Sequence, residues 1–279
     1  MIEIKKMLDE DYRKADESFD LKDADAELIS FVKEKNKDVN AIYDGAKLVG
    51  VALIEEGKEA YIYVFIDPLF RQKGIGNKAY KLCEKRIRKS EAEVIMSTYK
   101  LDNYDAKKFA NEQGYNRKFS STFMEYSSDQ FDLPELSIRN YVDDDFDLAY
   151  NMHAVAFHEM RLRVGDFPES VVKQGNEKIR KNWAKTAYER FVYLKEGEIV
   201  GYAHISGDEI SSVSVDSKYQ GQGIGRNFVK FICNKILLAG YQSVGLYCVV
   251  GNYAKEIYKS LGFEDVYTAD YIIKHLHDK

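Results

Sequence analysis

One glycine-rich segment occurs twice in this chain, and the repeat limits the folds that the chain can adopt. Arg71-Gln72-Lys73-Gly74-Ile75-Gly76 corresponds to Gln220-Gly221-Gln222-Gly223-Ile224-Gly225, 149 residues later. Each segment follows a strand-like apolar run, and each precedes an amphipathic pattern with the period of a helix. A repeat of this length predicts two copies of one domain rather than one large domain.

The sequence around the glycine-rich segments repeats as well. Residues 42–52 and 192–203 both read as two strands joined by a turn that contains glycine, which is typical of a hairpin. Downstream, Gly114-Tyr115 and Gly262-Phe263 each follow a helical pattern, as expected for a glycine just past a helix end. The two copies therefore share the same order of elements.

The starts of the copies fix their boundaries. Ile4-Lys5 corresponds to Ile138-Arg139 at a smaller offset of 134 residues, so the second copy contains about 15 additional residues. We place this insertion around residues 160–183. A polar stretch with Pro134 separates the copies, which predicts domains at residues 1–127 and 136–279. The fold class is α/β, with a mixed sheet in each domain and two strands closing each copy.

Composition excludes several classes of protein. The longest apolar run, Tyr61 to Ile66, is far below the ~18 residues of a transmembrane helix, and the N-terminus lacks the apolar core of a signal peptide. Three widely spaced cysteines indicate neither a disulfide framework nor a zinc site. A net charge of −5 argues against broad nucleic-acid binding. We expect a cytoplasmic protein that uses no metal and contacts neither membrane nor nucleic acid.

The glycine-rich segment has the composition of an anion site. A strand ends, the backbone turns through glycines and a helix begins, so that free amides and the helix dipole favour a phosphate. A dinucleotide-binding loop would have a further glycine where Arg226 stands, and the chain contains no Gly-Lys-Ser/Thr triplet of a P-loop. What remains is the pattern Gln/Arg-x-x-Gly-x-Gly between a strand and a helix.

This pattern resembles the pyrophosphate-binding motif of the GCN5-related N-acetyltransferases (GNAT), and the resemblance covers both copies. It implies two tandem GNAT domains and acetyl-CoA as co-substrate. The pantetheine arm would lie along Val213 and Val215, in an opening between the fourth and fifth strands of the second copy. The candidate pyrophosphate-binding residues are Gln220, Gly221, Gln222, Gly223, Ile224, Gly225 and Arg226, with Arg71, Gly74 and Gly76 as counterparts in the first copy.

The same resemblance suggests which copy is catalytic. Family members usually carry a tyrosine four residues before the Gly-aromatic pair, where it protonates the departing thiolate. Tyr258 has this position in the second copy, whereas Ala110 has it in the first. The first copy is therefore expected to be catalytically degenerate. Asn252 is a further cofactor candidate, one residue late in the family register.

The sequence does not identify the general base. Glu209, at the start of the fourth strand of the second copy, is the principal candidate, and Asp208 and His204 are alternatives. Arg161 and Arg163 lie in the predicted insertion, where they either read an acidic group of the substrate or belong to a solvated loop.

These observations predict an acyltransferase that moves an acetyl group from acetyl-CoA to a primary amine of a small molecule or peptide. The amine attacks directly in a ternary complex. One alternative is a non-catalytic acyl-CoA-binding or sensing protein, and another is a transferase with a different acyl donor or acceptor. We expect a monomer, with a homodimer as the alternative.

Overall fold

The computed structural model describes residues 1–21, 24, 26–33, 35–36 and 38–276. The first half of the chain forms β1 (Ile2–Lys6), α1 (Asp9–Ser18), α2 (Ala26–Lys33), β2 (Val39–Asp44), β3 (Lys47–Glu55), β4 (Glu59–Ile66), α3 (Ile75–Ile87), β5 (Val94–Lys100), α4 (Tyr104–Glu112) and β6 (Asn116–Tyr126). The second half forms β7 (Ile138–Asn140), α5 (Phe146–Val164), α6 (Glu177–Lys185), β8 (Arg190–Lys195), β9 (Glu198–Ser206), β10 (Glu209–Val215), α7 (Ile224–Leu238), β11 (Val244–Val249), α8 (Ala254–Ser260) and β12 (Glu264–His275). Two mixed α/β domains with the same order of elements are thus confirmed.

The chain divides into two compact units. The first unit contains residues 1–118 together with the segment that begins at Ala269, and the second contains residues 119–268. In the first unit, the strand order is β1-β2-β3-β4-β5-β12, and in the second it is β6-β11-β10-β9-β8-β7. Within each unit the neighbouring strands are antiparallel except for one parallel pair, β4 with β5 in the first unit and β10 with β11 in the second.

The last strand of each repeat copy belongs to the unit formed by the other copy. Residues 269–275 of β12 pair with β5 of the first unit, and residues 121–126 of β6 pair with β11 of the second. The sequence-based division into residues 1–127 and 136–279 follows the repeat copies, and the compact units differ from it by this exchange. Each copy also closes with one strand and not with the two that we expected, because no glycine or proline interrupts β6 or β12.

The predicted hairpins are present, and their turns explain their sequences. In the β8–β9 hairpin, Lys195 pairs with Glu198, so the turn consists of Glu196 and Gly197. Both residues have positive φ, 53° and 84°. That combination is the two-residue turn whose twist matches antiparallel strands.

Helices pack on both faces of the second unit's sheet. Phe228, Ile232 and Ile236 of α7 belong to the cluster of buried side chains on one face. On the other face, Trp183 of α6 packs with Tyr202 of β9 at a centroid distance of 4.5 Å. The predicted insertion therefore contributes a core residue and is not simply a polar surface segment.

The two parallel strand pairs separate after a short contact. β10 pairs with β11 only at Glu209 and Ile210, and β4 pairs with β5 only from Glu59 to Tyr61. Beyond those residues the backbone groups facing the gap have no ladder partner, so each unit has the strand opening that the resemblance implies. Among the described helices, none is long and apolar enough to cross a membrane.

Candidate active site

A cleft of about 620 Å³ opens in the second unit where β10 separates from β11. Its walls come from the strand β10, the loop before α7, the strand β11, the start and middle of α8, and the last turns of α5. Among the predicted residues, those that line it are Val213, Val215, Gln220, Gly221, Gly223, Gly225, Arg226, Asn252 and Tyr258. The structure thus brings nine predicted residues of the second copy to one cavity.

The loop before α7 presents a series of unpaired amides to this cleft. Within the described part of the chain, the amides from Gly221 to Arg226 donate to no acceptor, and the next amide, that of Asn227, donates to the Gly223 carbonyl at 3.0 Å. Consecutive free N–H groups at a helix N-terminus, together with the helix dipole, form an anion-binding site.

The loop requires glycine at its different positions for different physical reasons. Gly221 and Gly223 have φ values of +75° and +80°, and no atom lies within 4 Å of a Cβ built on either. Backbone conformation, not a clash within the protein, therefore requires glycine at these two positions. Gly225 has an ordinary φ, and its Cβ would lie 3.5 Å from Val215, at the floor of the cleft.

Two further amides face the gap between the strands. The amide of Asp216 donates to the Val200 carbonyl at 3.0 Å, on the β9 side of β10. Because backbone groups alternate along a strand, the amides of Val215 and Val213 point the other way, into the opening. An extended ligand in the gap would find hydrogen-bond donors there.

Not every predicted loop residue contacts the cleft through its side chain. The side chain of Ile224 is buried in the core, so only the backbone of this residue is available to the cleft. Gln222 is exposed and accepts a hydrogen bond from Lys195 at 2.7 Å. Arg226 lines the cleft and donates to the Ser260 hydroxyl at 2.5 Å. Asn252 caps the start of α8 by accepting from the Ala254 amide at 3.1 Å.

Tyr258 lies on α8 with its ring against Phe263, at a centroid distance of 5.8 Å. Its hydroxyl has no hydrogen-bond partner among the described residues. Burial, and secondly the neighbouring Cys248, raise the pKa of Tyr258. The hydroxyl therefore stays protonated at neutral pH, which is the state that a proton donor needs.

The three base candidates, Glu209, Asp208 and His204, lie outside the residues that line the cleft. Glu209 begins β10, and burial, with Asp208 second, raises its pKa. His204 lies on β9 opposite Ser212, a cleft residue. Burial, followed by the charge of Arg190, lowers the pKa of His204 to about 4, so its imidazole is neutral at pH 7.

The helix α5 supplies a wall of the cleft, and of its residues there sequence reasoning named only Arg163. Ala156, Phe157, Met160 and Arg163 line the cavity. We expected Arg161 and Arg163 in an insertion with a loop as one possibility, but both lie in α5, which has 19 residues against 10 in α1. The additional residues lengthen a helix as well as a loop. The two arginines in its last turn are the signal that could have identified it, because cations favour a helix C-terminus.

Arg163 and Tyr253 form one side of the cleft entrance. The Arg163 guanidinium lies 4.7 Å from the centroid of the Tyr253 ring, and the Tyr253 hydroxyl donates to Gln220 at 3.3 Å. Among the residues that the structure describes, Arg163 and Arg226 are the charged side chains that line the cleft, and no carboxylate lines it. The cavity is therefore suited to an anionic ligand.

In the first unit, aromatic side chains occupy positions that line the cleft in the second. Tyr80 has the position of Val229, and Phe109 has that of Ile257. The two rings pack edge to face at a centroid distance of 5.7 Å, within the hydrophobic core. The loop with Arg71, Gly74 and Gly76 has the same backbone form, with Gly74 at a φ of +70°, and Tyr80 on the helix that follows it is only 2% exposed.

Comparison with known proteins agrees with this geometry. The profile of the GNAT acetyltransferase family matches residues 2–115, and that of the GNAT acetyltransferase domain matches residues 154–276. Among curated proteins, no sequence matches the chain significantly.

Solved structures share the whole fold at low sequence identity. A GCN5-related N-acetyltransferase from Sphaerobacter thermophilus has 15% identity and a TM-score of 0.69, over 99% of this chain and 96% of that one. A tandem GNAT protein from the clavulanic acid biosynthesis pathway has 15% identity and a TM-score of 0.68, over 100% of both chains. An acetyltransferase from the GNAT family of Colwellia psychrerythraea has 12% identity and a TM-score of 0.59, over 98% of this chain and 100% of that one.

Proposed function

The chain is a tandem member of the GNAT acetyltransferase family, and we propose that its second unit binds acetyl-CoA and acetylates a primary amine. The observation that carries this proposal is the series of free amides from Gly221 to Arg226, which opens on the same cleft as Tyr258. A diphosphate is the ligand that such a series favours.

The cleft fits the parts of acetyl-CoA in sequence. The amides of the loop before α7 would hold the pyrophosphate, and those of Val213 and Val215 would pair with the pantetheine arm in the gap. The two arginines that line the cleft would offset the phosphate charges. Acetyl-CoA itself supplies the activated acetyl group.

Tyr258, which lines the cleft, and Glu209, at the start of β10, would then transfer the protons. The amine attacks the thioester carbon, so that a C–N bond forms and a C–S bond breaks. Tyr258 donates its proton to the departing sulfur, and Glu209 receives the proton that the amine loses, through water.

The burial of the cysteines supports direct transfer in a ternary complex, without an acyl-enzyme. The cysteines Cys83, Cys233 and Cys248 are all buried. Burial raises the pKa of Cys248, the cysteine on β11, to about 11, which keeps it a poor nucleophile at neutral pH. The predicted monomer and its cytoplasmic location stay predictions.

A transfer assay with Tyr258→Phe tests the proposal. We expect acetyl-CoA-dependent acetylation of an amine panel, and a loss of about 100-fold in kcat in the variant, because a general acid contributes on that scale. The affinity for acetyl-CoA should be nearly unchanged, since the ring stays in place.

Binding of acetyl-CoA without transfer to any amine would favour the non-catalytic sensing protein instead. A large loss of acetyl-CoA affinity in Tyr258→Phe, with kcat unchanged, would remove Tyr258 from the role of proton donor.

A further inference from the structure

The sheet face of the second unit carries an aromatic cluster next to the cleft. Tyr247 of β11 lines the cavity. Its ring lies 5.0 Å from that of Phe123 on β6, and Phe123 lies 5.5 Å from Tyr267 on β12. The hydroxyl groups of Tyr247 and Tyr267 are 2.9 Å apart. All three rings are half-buried and so present part of their surface to solvent.

Glycine at position 245 allows this cluster to lie close to the sheet. A Cβ on Gly245 would be 2.9 Å from two atoms of the Phe123 ring, so the ring rests directly on the backbone of β11. The ring is thus fixed in place over the strand next to the gap, where an acceptor must approach the thioester.

Two carboxylates flank the aromatic cluster. Glu209 of β10 and Glu125 of β6 both pair with Gly245, one from each side. Residues opposite each other in paired strands project from the same face, so both carboxylates lie on the face that carries the Phe123 ring. Within the described residues, neither carboxylate forms an ion pair. Glu125 accepts hydrogen bonds from the hydroxyl groups of Ser243, at 2.9 Å, and Ser127, at 3.5 Å.

Chemistry of this kind favours one class of acceptor. Ring faces attract a cation and bury apolar surface, and carboxylates attract an ammonium group and repel an acidic one. We infer that the acceptor is a cationic amine with an aromatic or apolar body and no carboxylate, and that Phe123 and Glu125 bind it.

This inference rests on the proposed function, and it gives the strand exchange a role. Phe123 and Glu125 lie on β6, which belongs to the first repeat copy in sequence and to the second unit in structure. The first copy would thereby supply part of the acceptor site.

The test measures equilibrium binding of three amines by calorimetry, with and without coenzyme A. The probes are 2-phenylethylamine, ethanolamine, which lacks the ring, and phenylalanine, which adds a carboxylate. We expect 2-phenylethylamine to bind most tightly. Glu125→Gln should weaken its binding about fivefold and reduce its advantage over phenylalanine. Phe123→Leu should weaken it about threefold.

Two controls keep the test specific. Glu264→Gln removes an exposed carboxylate at the start of β12 and should bind all three amines as the parent protein does. Acetyl-CoA affinity, measured in parallel, should be the same in all variants. Glu125→Gln is isosteric, so the test holds even if Phe123→Leu fails to fold.

Ethanolamine or phenylalanine binding as tightly as 2-phenylethylamine would overturn the inference, as would unchanged binding in Glu125→Gln. If acetyl-CoA binds and some other amine is acetylated, the proposed function stands without this inference. If acetyl-CoA fails to bind while the three amines bind in the expected order, the proposed function is wrong, but the inference that Phe123 and Glu125 bind a cationic amine holds.

Discussion

At the scale of single residues, Arg163 and Arg161 offer a matched comparison. Both lie in the last turn of α5. Arg163 lines the cleft beside Tyr253, whereas the Arg161 guanidinium lies 5.9 Å from the centroid of the Phe167 ring. If the cleft holds acetyl-CoA, Arg163 is close enough to the loop before α7 to attract its phosphates.

We therefore expect Arg163→Ala to weaken acetyl-CoA binding about fivefold at low salt, and less at high salt, because an exposed charge is screened. Arg161→Ala should leave the affinity unchanged. Calorimetric titration at two salt concentrations measures both effects. Equal losses in the two variants would indicate a general electrostatic effect and not a contact made by Arg163.

At the scale of elements, α5 and β9 place two neutral histidines in the second unit. Burial is the main reason that the pKa of His153 is about 4, and the charges of Arg161 and Arg190 lower it further. His204 has a pKa of about 4, again chiefly because of burial. Nδ1 of His153 and Nε2 of His204 are buried without a hydrogen-bond partner within the described chain.

These histidines predict how stability depends on pH. In the unfolded chain they would take up protons near pH 6.5, and in the folded chain only near pH 4, so the unfolded state binds more protons between those values. The melting temperature should therefore fall as the pH falls from 7 towards 4. His204→Gln and His153→Gln should each reduce that slope in thermal melts followed by circular dichroism. An unchanged slope in both variants would contradict this explanation.

The elements also show what a sequence can and cannot predict. Repeated patterns at fixed offsets predicted the hairpins, the glycine loop and the place of Tyr258 on the last helix, because these features depend on local sequence. The contribution of α5 to the cleft depends on how this long helix packs on the sheet. The change in offset between the two copies gives only the number of inserted residues, not their position in the fold. The contact between the rings of Tyr80 and Phe109 in the first unit joins elements that are distant in sequence, and local patterns do not contain such contacts.

At the scale of the whole molecule, the strand exchange ties the folding of the two units together. The first unit needs β12 from the end of the chain, and the second needs β6 from the first copy. The segment that begins at Ala269 reaches β5 only across the whole second unit, residues 119–268. Closing that loop costs less entropy when the second unit is folded, so we expect the two units to unfold together.

Fluorescence of Trp183, the one tryptophan of the chain, reports on the second unit. Ile62→Ala creates a cavity in the core of the first unit, where Ile62 is 1% exposed, and should cost about 2–5 kcal/mol. In this variant we expect the midpoint of urea unfolding to move to a lower urea concentration. Trp183 fluorescence and circular dichroism should report the same shift. A tryptophan transition that stays in place would show that the units unfold independently.

The central claim is that the second unit alone binds acetyl-CoA, and calorimetric titration of three proteins tests it most directly. Gly225→Ala adds a methyl group at the floor of the cleft without backbone strain, and Gly76→Ala adds one at the matching position of the first unit, 3.7 Å from Ile66. We expect one site per chain, weakened at least tenfold by Gly225→Ala and unaffected by Gly76→Ala. Two sites, no site, or a loss of binding in Gly76→Ala would contradict it.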